Sequence, residues 1–259
     1  MKTYVVIPHY IITDTVAELA RNTIKSFRDT SDVVIVSCDD CSETDTGFLK
    51  DISDVYIRNK ENKGFAGNCN VGFKWILKNE KEECNVICAN NDIEVFDGWL
   101  DEFNRILDIS EARAIGGLGY KDRIVEGMPI QDYRNNPGSK YSANYYSQGG
   151  YLEDWMFPGG FYMIRKSMLD DYGLYDEGFL HGGYEDIDLF LRWKNAGEKL
   201  IITPKVQYWH KEGATRFSEE EKGKQISVED HNREYFCKKN GFNPHENILD
   251  FMKDDRINL

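Results

Sequence analysis

The sequence predicts an α/β domain built on a mostly parallel central sheet with helices on both faces. Three observations predict it. Short apolar runs alternate with helical segments through residues 1–118, the pattern of strands joined by crossover helices. The polar clusters Pro8-His9-Tyr10, Asp39-Asp40 and Asn90-Asn91-Asp92 each follow one of those runs, and ligands in such sheets bind beyond the carboxyl ends of the strands. The 259 residues, 41% of them hydrophobic, are enough for one large domain with a sizeable core, or one domain with a small appendage.

Each element has its own signal. Thr3 to Pro8 is an apolar strand that meets a proline. Asp14 to Arg28 reads as a helix, because Val16, Leu19, Ala20, Thr23, Ile24 and Phe27 recur at helical spacing, and Asp14 is placed to cap it. Val33 to Ser37 is a buried β-branched run, and Val55 to Arg58 is a further short strand. Phe65 to Lys78 is a helix with Cys69, Phe73, Ile76 and Leu77 inward. Val86 to Ala89 is the fourth strand, Trp99 to Leu107 a helix, and Ala112 to Leu118 a fifth strand.

The second half differs. Residues 119–154 are rich in Tyr, Asn, Gly and Ser, with Tyr120, Tyr133, Tyr141, Tyr145, Tyr146 and Tyr151 among them. A loop this long is usually functional or disordered, and tyrosines suit both sugar binding and protein interfaces. A strand over Gly159 to Arg165 follows, then a helix from near Tyr184. Strands come next around Leu200 to Ile202 and Val206 to Trp209, and then a charged, mostly helical tail from Ser218 to Leu259.

Composition excludes some classes. A net charge of −13 repels phosphate backbones and anionic lipid, so a nucleic-acid partner is unexpected, though not excluded. No apolar stretch approaches the length of a membrane span, and the first residues lack the features of a signal peptide; peripheral membrane contact stays open. Cys38 and Cys41 have CxxC spacing, but no second pair follows among the six cysteines. Free thiols in a reducing cytoplasm are the expectation.

Several fragments carry chemistry. In Asn90-Asn91-Asp92-Ile93-Glu94 a strand-end carboxylate can hold a hard divalent cation, although Asn and Asp also favour turns. Asp39-Asp40-Cys41-Ser42 can accept the imide N–H of a pyrimidine base, or can cap a turn. Asn62-Lys63-Gly64-Phe65-Ala66-Gly67 opens a helix whose N-terminus favours anions. Gly182-Gly183-Tyr184-Glu185-Asp186-Ile187-Asp188 places three acids at a helix start. That compensates the helix dipole and also offers a general base. His210 ends a strand, where it can ligate a metal or pack structurally. Lys211 and Arg216 are placed to meet phosphate.

Taken in order, these fragments resemble the family 2 inverting glycosyltransferases of GT-A fold, over roughly residues 3–216. The resemblance is carried by Pro8-His9-Tyr10, by Asp39-Asp40-Cys41-Ser42, and by Asn62, Gly64, Phe65, Ala66, Asn70 and Gly72. It continues through Asn90 to Val95 with Gly98 to Leu100, through Gly159, Gly160, Ile164 and Arg165, and through Gly173 to Phe179. The Glu185-Asp186-Ile187-Asp188-Leu189 helix and the segment from His210 to Thr215 close the set.

The resemblance implies a Rossmann-like GT-A domain over 1–216, with a nucleotide-sugar half (1–118), an acceptor and catalytic half (119–216), and a helical extension (217–259) packed on it. It implies that Asp186 is the catalytic base, supported by Glu185, and that Asp92 and His210 ligate Mn²⁺ or Mg²⁺. Pro8, Tyr10, Asp39, Asn62, Gly64, Asn70, Asn91 and Gly160 are then the nucleotide-sugar-binding residues. The donor is a UDP- or dTDP-sugar, and the acceptor a hydroxyl on a glycan, a lipid-linked molecule, a protein or a small molecule. The family's metal motif is often Asp-x-Asp, and Asn90 replaces its first acid, so the metal site carries less negative charge.

Two rivals remain at this level. A nucleotidyltransferase needs a Gly-rich, basic segment after the first strand, which Pro8 to Thr13 lacks. A non-catalytic nucleotide- or sugar-binding protein has no need of Glu185-Asp186 and Asp92 together.

Overall fold

The computed structural model describes residues 1–120, 151–154, 156–211, 213–215 and 222–244; the side chains of Tyr120, Leu152 and residues 222–227 are not included. Most of the Tyr-rich segment, Arg216 and the ends of the tail lie outside the described residues. The chain runs β1 (Thr3–His9), α1 (Asp14–Thr30), β2 (Val34–Asp39), α2 (Gly47–Ile52), β3 (Val55–Arg58), α3 (Gly64–Asn79), β4 (Asn85–Ala89) and β5 (Ile93–Val95). It continues α4 (Trp99–Ser110), β6 (Ala114–Tyr120), β7 (Leu152–Asp154), β8 (Phe161–Arg165), α5 (Ser167–Tyr172), α6 (Glu185–Asn195), β9 (Leu200–His210) and α7 (Lys222–Asn240).

The strands form one sheet in the order β3-β2-β1-β4-β8-β6-β9-β5, with β7 added on β9. β3, β2, β1 and β4 are parallel neighbours. Beyond β4 the sheet is mixed: β8 lies antiparallel between β4 and β6, while β6 and β9 are parallel. The apolar run expected as a fifth strand is therefore separated from β4 by a strand that arrives later in the chain. The two runs expected between Leu200 and Trp209 form one strand. Its pairing with β6 shifts between Gly116 and Leu118, opposite a stretch containing Pro204, which has no N–H to give the ladder.

β1 and β4 are buried along their whole length, as expected of strands covered on both faces. Successive side chains alternate between faces. Tyr4 and Val6 join a core with Phe73, Ile76, Phe190 and Trp193 from α3 and α6. Val5 and Ile7 join another with Ile24, Phe27, Trp99 and Phe103 from α1 and α4. Thr13, not Asp14, caps α1: its backbone is extended and its hydroxyl accepts from Val16 N at 3.3 Å. Asp14 is instead the first helical residue, where its charge favours the helix dipole.

β2 and β3 lie to one side of β1, and β4 to the other. The carboxyl ends of β1 and β4 thus flank the point where strand order reverses, the place where open α/β sheets hold ligands.

Candidate active site

A cleft of about 580 Å³ opens at that point. It gathers Pro8 and Tyr10 from the end of β1, Asn62 and Gly64 from the start of α3, and Asn91 and Asp92 after β4. Gly160 before β8, Glu185 and Asp186 at the start of α6, and His210 at the end of β9 complete the wall. Segments far apart in sequence therefore converge, and only two of the sequence-predicted site residues, Asp39 and Asn70, stay outside.

Asp92 and His210 meet because β5 and β9 pair with Ile93 opposite His210. Asp92 Oδ1 lies 3.2 Å from His210 Nε2. Asp92 is buried, its Oδ2 accepts from Ala214 N at 3.4 Å, and its carbonyl accepts from Lys211 N at 3.0 Å. Asn90 Nδ2 stands 3.2 Å from His210 Nε2, whereas Asn90 Oδ1 is buried with no hydrogen-bond partner. Gly160 leaves room for the imidazole, since a Cβ there would sit 2.8 Å from His210 Cε1.

This donor set fits a divalent cation. A carboxylate oxygen and an imidazole nitrogen face one space, and an unpartnered amide oxygen stands beside them. Among the described residues no group of three or more His, Cys, Asp or Glu side chains forms a metal cage. The remaining positions of a bound ion would fall to ligand oxygens and water, as is usual for Mg²⁺ and Mn²⁺ beside phosphates.

Glu185 and Asp186, at the start of α6, line the same cleft. Asp186 is half-buried, and its Oδ1 accepts from Ile187 N at 2.8 Å. A Cβ on Gly159 would fall 2.2 Å from Asp186 Oδ2, so glycine at 159 is what lets the carboxylate stand there. Glu185 is buried and folds back to accept from Gly183 N. The third acid, Asp188, faces away and is held by Arg192, Lys239 and Asn240. The loop before α6 is strained, with His181 at φ 52°, Gly183 at 112° and Tyr184 at 74°. Non-glycine residues held in that region cost roughly 1–3 kcal/mol each and persist only when the surroundings fix them.

Asp39 lies behind the wall. It is fully buried and accepts from Ser42 N, Thr46 Oγ1, Tyr56 OH and Arg58 Nη1. Burial alone would raise its pKa, but these donors hold the carboxyl below its ordinary value. The neighbouring Asp40 lines the cleft instead. Its pKa is raised by burial, against hydrogen bonds from Lys63 N and Asn59 Nδ2. Asn70 is also internal: its side chain accepts from Tyr175 N at 3.0 Å and donates to Tyr175 O and Glu177 Oε1, both at 2.9 Å. It ties α3 to the segment before α6.

The cleft also contains residues to which the sequence motifs assign no binding or catalytic role, among them His9, Gly159 and Thr215, which lie within the motifs, and Asn68, which none of them named. His9 is fully buried, its Nε2 is 3.2 Å from Ser37 Oγ, and its Nδ1 has no partner. Desolvation drives its pKa down to about 3 against the opposing pull of Asp39, so it is neutral at physiological pH. The available signal was its place at the carboxyl end of β1, between Pro8 and Tyr10.

A cleft at the switch point of a mixed α/β sheet, lined by carboxylates, an imidazole and backbone amides, is a binding site for a polar ligand. The comparisons narrow this. The chain belongs to glycosyl transferase family 2, whose profile matches residues 4–173. No curated protein matches the sequence. Among solved structures it is similar to GalNAc-T7 with UDP, GalNAc and Mn²⁺, at 16% identity and a TM-score of 0.63 over 99% of this chain and 54% of that one. It is similar also to S. aureus TarS 1–349 in complex with UDP-GlcNAc, at 14% identity and a TM-score of 0.58 over 98% and 77% of the two chains. The fold is that of GT-A glycosyltransferases, and the chain spans about half the length of the GalNAc-T7 chain it matches. No helix among the described residues is long and apolar enough to cross a membrane.

Proposed function

We propose that this transferase moves a sugar from a UDP- or dTDP-sugar to an acceptor hydroxyl, with inversion at the anomeric carbon and with Mn²⁺ or Mg²⁺. The observation that carries the reading is the placement of Asp186 in the same cleft as the Asp92–His210 pair. A proton acceptor and an ion-binding pair are then offered to one bound sugar–diphosphate.

The nucleotide lies against Pro8, Tyr10 and Asp40, with Asn62 and Gly64 beside it. Asp39 shapes this pocket from behind by holding Ser42 and Arg58. The sugar sits toward Asn91, Gly159 and Gly160. Asp186 accepts the proton of the acceptor hydroxyl while that oxygen bonds to the anomeric carbon, and the bond from that carbon to the diphosphate oxygen breaks. A single displacement from the face opposite the leaving group gives inversion. Glu185, tied to Gly183 N, holds the start of α6. When bound by Asp92 and His210, the cation supplies positive charge for the developing diphosphate. The six free thiols accord with a reducing, cytoplasmic setting.

Replacing Asp186 by Asn tests the assignment. The variant keeps its shape and loses its base, so it binds nucleotide like the wild type while turnover falls about 10²–10⁴-fold. Transfer at the wild-type rate would remove Asp186 from the role.

A further inference from the structure

Helix α7 lies beyond residues 4–173, the span matched by the family profile, yet it reaches the cleft wall. Asn232 makes the connection. It is fully buried. Its Oδ1 accepts from Leu180 N at 2.8 Å, and its Nδ2 donates to Leu180 O at 2.9 Å and Gly183 O at 3.0 Å, with Gly182 O at 3.4 Å. The Leu180 N–H can only donate, which fixes the orientation of the amide.

These contacts fall on a loop that its own sequence leaves poorly determined. Gly182 and Gly183 impose no conformation, and His181 and Tyr184 are held in left-handed ones. On its far side the loop is held by Phe65 N, which donates to His181 O at 2.8 Å. Asp186 lies three residues after Gly183, so the position of its carboxylate depends on the loop's path. Lys239 and Asn240 grip the Asp188 side chain in the first turn of α6 and make no hydrogen bond to the 180–183 backbone among the described residues, so a variant at Lys239 loosens the docking of α7 without removing the Asn232 contacts.

We propose that Asn232 is a positioning residue for the transfer step: from the C-terminal helix it fixes the 180–183 loop and, through it, Asp186. This rests on the transferase reading above. One amide that serves both an N–H and carbonyls of the loop is suited to the task. Alanine offers neither group, and aspartate offers acceptors where carbonyls need donors.

The test uses the full chain and the variants Asn232→Ala, Asn232→Ser and Lys239→Met. The readouts are donor hydrolysis, UDP affinity by calorimetry and thermal midpoint. Asn232→Ala should lower kcat about 10–100-fold, the effect of an ångström-scale misplacement, with KM for the donor and the Kd for UDP within about twofold. Lys239→Met, which removes ion pairs with Asp176 and Asp188, should lower the midpoint and leave kcat within about twofold of wild type. Should Asn232→Ala not fold, Asn232→Ser, which keeps a small hydrogen-bonding group, carries the same expectation. Wild-type kcat in the folded Asn232 variants overturns the proposal, and so does an equal kcat loss in Lys239→Met. If the wild-type chain neither hydrolyses nor binds any donor, the transferase reading fails, and with or without turnover amide exchange decides the hold on the loop. Faster exchange at Leu180 in Asn232→Ala supports it, and unchanged exchange refutes it.

Discussion

Replacing Gly159 by Ala is a perturbation whose consequence can be worked from the structure. A Cβ at this position would lie 2.2 Å from Asp186 Oδ2, 3.0 Å from Cγ and 3.1 Å from Cβ. Ordinary van der Waals contact begins near 3.4 Å, so the carboxylate oxygen must retreat by about 1.2 Å (3.4 − 2.2). The atoms in the way belong to a half-buried side chain that can rotate, so the fold loses little, about 1 kcal/mol at the low end of overpacking costs. Catalysis loses more, because a displacement of about 1 Å at a reacting group lowers rate about 10²-fold. The assay is donor turnover at saturating donor, beside UDP affinity and the thermal midpoint. The account expects kcat down about 100-fold, with UDP binding and melting near wild type. Wild-type turnover in a folded Gly159→Ala chain would mean that Asp186 does not act from the position seen here.

Three further outcomes follow from the same geometry. Asp92→Asn or His210→Ala should raise the Mn²⁺ concentration for half-maximal activity at least about 10-fold, since even outer partners of a metal are typically worth 10–100-fold in affinity; an unchanged requirement would place the ion elsewhere. His9 titrates at about 3 when folded and near 6.5 when unfolded, so below pH 6.5 the unfolded chain binds the extra proton. Stability should therefore fall by about 1.4 kcal/mol per pH unit between those values on this account, and denaturant melts of His9→Gln across that range should show a shallower acid limb. Asp39→Ala should cost about 2 kcal/mol in denaturant unfolding, less than the ~3–5 of a fully buried pair because Arg58 is 42% exposed; a neutral result would contradict its role behind the pocket.

The first half of the fold was legible because its signals are strong. β1 and β4 contain unbroken apolar runs, Tyr4 to Pro8 and Val86 to Ala89, and α1, α3 and α4 carry long inward stripes. The short elements α2, β5, β7 and α5 were not legible: three to six residues hold little periodicity, and their partners across the sheet or core define them. Strand direction was equally hidden. Nothing in Phe161–Arg165 says that it runs antiparallel between β4 and β6.

The site was legible where a motif follows a strand, as at Asp92 and His210, because strand ends are where such sheets hold ligands; the antiparallel β5–β9 pairing that brings the two together was not. It was less legible at Asp39-Asp40. Asp39 is the last residue of β2 and Asp40 the first beyond it, so the pair alone does not tell which carboxylate faces the cleft. Asn70 shows the same limit on a helix, where its position beside the donor motif says nothing of Tyr175 and Glu177 behind it. Asn232 had no signal, since α7 carries almost no apolar stripe and the residue's partners lie some fifty positions away.

The central claim is tested most directly by incubating the full chain with UDP-, dTDP- and GDP-sugars, with and without Mn²⁺, and measuring the nucleoside diphosphate released to water. No acceptor is needed. The account predicts slow release from a UDP- or dTDP-sugar that requires the metal and is lost in Asp186→Asn. Release that is indifferent to both the metal and Asp186, or no release and no nucleotide binding with any donor, would contradict it.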